Sequence, residues 1–90
     1  MRGNVLRLYR RSGCHWWAWG YHAAALRGEA PEKLSVEAVA RWIETRPAWF
    51  EIKSVLSEIY GAAARRKCVD WRYQMAQEVV NYLTERGIAR

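Results

Sequence analysis

Cysteine and proline are scarce in this 90-residue chain, which has two of each. Two thiols, Cys14 and Cys68, are too few for the disulfide framework of a small secreted domain, so reduced cysteines and a cytoplasmic location are expected. No apolar run approaches the length of a membrane span. The stretch from Trp16 to Leu26 is broken by Gly20 and His22. It follows the basic start MRGNVLRLYRR without a small-residue cleavage site, so neither a transmembrane helix nor a signal peptide is expected. There is no glycine-rich phosphate loop, no serine elbow and no acidic pair placed for acid–base work, so the chain reads as a non-enzyme. Cys14, His15, His22 and Cys68 offer four potential metal ligands, yet no CxxC or HxxxH unit fixes a tetrahedral site. Neither a metal nor another cofactor is expected.

Aromatics, by contrast, are abundant: six Trp, five Tyr and one Phe in a chain that is 51% hydrophobic. That is enough bulky side chain for one core, and a length of this order suits one domain, spanning 1–90. Within it, residues 1–30 form a basic, aromatic-rich segment and residues 34–90 carry the strongest helical patterns. The formal charge is +6 and is unevenly spread. Residues 1–28 hold five Arg and no acid, residues 29–60 four basic and six acidic side chains, and residues 61–90 six basic and three acidic. Basic ends of this kind favour encounter with polyanions.

The hydrophobic period is helical almost throughout, predicting an all-α fold, a compact bundle of four to five short helices. Asn4 to Arg11 fits either a short helix or a strand. Between Cys14 and Arg27, the three-four-three spacing of Trp16, Trp19, Ala23 and Leu26 places them on one helical face, ended by Gly28. Ser35 is a strong N-cap, with Leu34 and Val39 at the two positions of a hydrophobic staple. The helix it starts would bury Val36, Val39, Ala40 and Ile43 with Trp42 beside them, and close before Pro47. A further helix, from Phe50 or Ile52 to Tyr60, places Ile52, Val55, Leu56 and Ile59 together and ends at Gly61. The last helix, Asp70 to Arg86, has an apolar arc of Trp71, Met75, Ala76, Val79, Val80 and Leu83. The residues before it, GAAARRKCV, favour helix strongly enough for it to begin at Ala62.

The order of these helices and the exit VNYLTERGIAR, with Leu83, Gly87, Ile88 and Arg90, resembles the winged-helix and helix-turn-helix DNA-binding superfamily over residues 35–90, without a wing. The resemblance implies a helix-turn-helix-like C-terminal part, with Ile52–Tyr60 as positioning helix and Asp70–Arg86 as recognition helix. It also implies a DNA-binding transcription or replication regulator. The residue types agree with that chemistry. Gln74, Gln77 and Asn81 carry the amide geometry that pairs with the N6 and N7 edge of adenine, and Arg72 suits guanine or a phosphate. Arg65, Arg66 and Lys67 form a phosphate-contacting cluster. Nucleic acid, DNA ahead of RNA, is thus the expected partner, and no membrane is.

A different class of function draws on the other end of the chain. Arg7, Arg10 and Arg11 precede Trp16, Trp17, Trp19 and Tyr21, and an Arg/Trp-rich face suits an acidic protein surface or single-stranded nucleic acid. Under that reading the chain is a protein-binding inhibitor or adaptor, of the size of small phage-encoded inhibitors of host machinery such as anti-CRISPR proteins. A stripe of aromatics at helical spacing also suits a core. A homodimer is compatible with either function.

Overall fold

The computed structural model describes residues 16–30 and 33–86. Arg7, Arg10, Arg11, Cys14, His15, Gly87, Ile88 and Arg90 therefore lie outside the described residues, as does the Asn4–Arg11 segment. Every element among the described residues is helical. Residues 16–26 form α1, Val36–Glu44 α2 and Pro47–Tyr60 α3; a 3-10 turn, Gly61–Ala63, leads into the 22-residue α4, Ala64–Glu85. The fold class is thus all-α, but four to five short helices is not the pattern. Three helices are complete within the described residues, one of them long, and residues 16–26 precede them.

Local chemistry explains most of the boundaries. At the end of α1, Gly28 adopts φ +75°, donating to the Ala25 carbonyl while Glu29 N–H reaches the Ala24 carbonyl at 2.8 Å. This is the Schellman pairing that glycine makes cheap. Ser35 caps α2 as expected, its Oγ accepting from Ala38 N–H at 3.1 Å. Thr45 closes the same helix, donating its hydroxyl to the Trp42 carbonyl at 2.6 Å. Pro47 does more than follow α2: it is the first residue of α3, which therefore starts earlier than Phe50 or Ile52. The fixed φ of proline suits a first helical turn, where its missing N–H costs nothing. Gly61, at φ +55°, ends α3 by donating to the Ser57 carbonyl.

The largest departure lies in the segment GAAARRKCV. Its first three residues make a single 3-10 turn and the rest is already α4, so Asp70 is an exposed interior residue and not an N-cap. Ala, Arg and Lys are strong helix formers, and no breaker stands between Ala64 and Arg86.

Among the described residues one hydrophobic cluster joins α1, α2, α3 and α4, including Trp17 and Tyr21 of α1, Trp42 and Ile43 of α2, Ile52 and Leu56 of α3, and Val79 and Leu83 of α4. α4 is the spine, packing on both α2 and α3. Around Trp42 the packing is aromatic: Trp17 and Tyr21 meet it edge-on at 5.7 and 5.4 Å between ring centroids. Such edge-to-face pairs add roughly 1 kcal/mol each beyond burial. The apolar arc read for α4 is the one buried or half-buried, with Tyr82 added.

Trp16, Trp19, Ala23 and Leu26 do share one face of α1, but the core lies against the opposite one. Trp17, Ala18, Tyr21 and Ala24 are buried, while Trp16, Trp19 and Leu26 remain 54%, 48% and 76% exposed. At 3.6 residues per turn the two stripes lie roughly 170° apart. Both are apolar, so period alone does not choose between them. Small residues do: Gly20 lets the helix approach the Trp42 ring so closely that an added Cβ would lie 3.2 Å from it. No described helix is long and apolar enough to cross a membrane.

Candidate nucleic-acid interface

α4 presents to solvent a face about 33 Å long, given 1.5 Å of rise per residue. Its first turn carries Arg65, Arg66 and Lys67, all exposed. That turn holds no acidic residue, and the N-cap, Ala63, supplies no side-chain hydrogen bond. Three cations at the positive end of a helix dipole oppose helix formation by a few tenths of a kcal/mol each and concentrate positive potential at one place. The arrangement is unfavourable for stability and favourable for binding an anion.

Arg66, Lys67, Gln74, Gln77 and Asn81 share one stripe, within an arc of roughly 100° around the helix axis. Gln74, Gln77 and Asn81 are all exposed. Gln77 Nε2 donates to Asn81 Oδ1 at 3.0 Å, one turn apart. This pairing leaves the Gln77 Oε1 acceptor and the Asn81 Nδ2 donor to bond outside the protein, the complement of an adenine N6 donor and N7 acceptor. Lys67 stands with its Nζ 5.0 Å from the centre of the Tyr60 ring. Of the acidic side chains on α4, Asp70 and Glu85 are exposed and Glu78 is half-buried.

Two members of the expected set lie off this stripe. Arg72 pairs with Glu44 at the end of α2, its side chain only 19% exposed, and its guanidinium lies 5.0 Å from the Tyr73 ring centre. Its Nε is buried without a hydrogen-bond partner among the described residues. Arg72 thus ties α4 to α2. Arg65 faces a cleft of about 550 Å³ between α3 and α4, which it lines with Lys53 and Cys68. Lys53 was not foreseen, since nothing near it on α3 marks it; only the packing of two helices brings it beside the basic turn. Burial pushes the Cys68 thiol up, and the Lys53 ammonium partly offsets that rise.

The tryptophans divide between core and surface. Trp17 is core, whereas Trp16 and Trp19 are half-exposed. Trp19 meets His22 at 6.0 Å and Tyr82 at 6.4 Å, edge-on in both cases. No group of three or more His, Cys, Asp or Glu side chains suited to a metal occurs among the described residues. No family model, curated protein or solved structure matches this chain.

Proposed function

We propose that the protein is a small nucleic-acid-binding protein, a DNA-binding regulator of transcription or replication, that docks the solvent face of α4 on the polyanion. The observation that carries this reading is the junction of the acid-free first turn, Arg65–Lys67, which has no side-chain cap, with a stripe of amides on the same helix. The cations supply sequence-independent affinity and register, and Gln74, Gln77 and Asn81 supply contacts to base edges. Arg72 acts indirectly, holding α4 against α2 through Glu44. The winged-helix likeness belongs to this reading as well, with α3 as positioning helix and α4 as recognition helix.

The experiment is duplex binding by the variant Arg65→Ala/Arg66→Ala/Lys67→Ala beside the parent. If each residue contacts one phosphate, the slope of log K against log salt becomes shallower by about 2.7. An unchanged slope in a folded variant removes these residues from the interface.

The exposed α1 stripe favours a second reading. Trp19 and Leu26 leave an apolar strip on a helix whose end of the chain carries no acid through residue 28, which suits an acidic protein surface. A regulator that acts by occupying such a surface would lose its partner on Trp19→Ala without loss of thermal stability.

A further inference from the structure

The groove between α1, the end of α2 and the start of α3 encloses about 500 Å³, within the size range of small-ligand sites. No residue of α4 lines it. One wall is Trp16, whose ring is half-exposed and held edge-on against Trp17 at 4.7 Å. Trp42, Gly20 and Ala23 line it as well. A half-exposed indole beside small residues accepts a planar ligand.

The polar groups around the groove select among planar ligands. Arg27 and Arg46 stand at its rim, Arg27 beside Glu29 at 3.1 Å on the surface and Arg46 over the Trp42 ring at 5.5 Å. α3 begins here at Pro47, with no acid in its first turn and no side-chain cap on its N–H groups. Against these stands one carboxylate, Glu51, one turn into α3. Two of the lining indoles, Trp17 and Trp42, are more than nine-tenths buried, and their N–H donors have no acceptor among the described residues.

We infer that this groove is a stacking site for a base of single-stranded nucleic acid, with the base against Trp16 and the adjoining phosphate between Arg27, Arg46 and the start of α3. The inference rests on the nucleic-acid reading and assigns it a second strand form, held by a surface separate from α4. A base has a π-face for the ring, and its phosphate answers the two guanidiniums. A strand opened beside a duplex-bound α4 is a ligand for both surfaces.

The test compares fluorescein-labelled oligo(dT) with a labelled 20-base-pair duplex, on the parent protein and on the variants Trp16→Ala, Trp16→Tyr and Arg27→Gln/Arg46→Gln. Far-UV circular dichroism and melting report folding, and the half-exposed Trp16 is the safer position. Trp16→Ala and the double arginine variant should each weaken oligo(dT) binding about tenfold or more, and Trp16→Tyr should retain it. Duplex binding should change by less than about twofold. Parental oligo(dT) affinity in folded Trp16→Ala overturns the inference, and so does an equal loss on the duplex. A parent that binds duplex and not oligo(dT) defeats the groove alone, leaving it to a protein partner, whereas one that binds neither defeats the nucleic-acid reading and the groove together.

Discussion

Exchanging Arg65 for Glu should make the protein more stable and a weaker binder. Arg65 is the second residue of α4, where a cation opposes the helix dipole and an anion is favoured. Removing one contribution and adding the other amounts to about 1 kcal/mol at low ionic strength. The surroundings support the sign: Lys53 and Arg72 line the same cleft, and the carboxylate there, Glu44, is already paired with Arg72. No acidic side chain lies three or four positions along α4 to repel the new one, since those positions hold Cys68 and Val69. For a domain of this size, 1 kcal/mol raises Tm by about 4–8 °C. On the binding side, losing one phosphate contact flattens the salt slope by about 0.9, which at 0.1 M salt is roughly a tenfold loss of affinity. Melting by circular dichroism in about 20 mM salt and duplex titration at several salt concentrations read the two effects separately. A fall in Tm would refute the dipole argument, and unchanged affinity with a raised Tm would refute the phosphate contact.

Other perturbations test the packing. Ile43→Ala and Ile52→Ala, both in the fully buried core, should each cost about 2–5 kcal/mol, read as a lowered urea midpoint; a cost under 1 kcal/mol would mean that the core is not where it is described. Glu44→Ala leaves the half-buried Arg72 guanidinium unpaired and should cost about 1–2 kcal/mol, whereas an exposed control such as Glu37→Ala, in the first turn of α2, should cost less than 1. Gly61→Ala has open space for its Cβ but must adopt φ +55°, so a loss of about 1 kcal/mol is expected, and a gain would contradict the turn geometry. Burial raises the folded-state pKa of both Cys68 and Tyr21, so each contributes stability that is complete below its ordinary value, 9.0 and 10.0, and fades as pH rises past it. Stability should therefore decline from about pH 9 upward, and Cys68→Ala should move the onset toward 10; a flat profile to pH 11 would count against both burials.

The parts of the fold legible in the sequence are those where one local signal had no competitor. Ser35 is a polar cap directly before an apolar period, and α2 begins there. The α4 arc is flanked by continuous polar positions, so only one face was available to bury. In α1 the apolar residues run all round the helix, and the choice between Trp17 and Tyr21 or Trp16 and Trp19 depends on Gly20 meeting Trp42, two residues 22 positions apart. The start of α3 was misplaced for a related reason. Proline breaks a helix that precedes it and begins one that follows, and the half-turn between α2 and α3 is too short to separate the two roles. At the candidate interface, Arg66, Lys67, Gln74, Gln77 and Asn81 share a stripe by sequence spacing alone once α4 is continuous. Arg72 differs because Glu44, in another helix, captures it, and Lys53 because a tertiary cleft brings it near Arg65.

Engagement of a polyanion by the α4 face through its first-turn cations is read out by duplex binding of the intact protein over a salt series. With Arg65, Arg66 and Lys67 each displacing a counterion, log K should fall against log salt with a slope of about −2.7 or steeper, at an affinity above that of an inert protein of equal charge. Binding no tighter and no steeper than that control would contradict it.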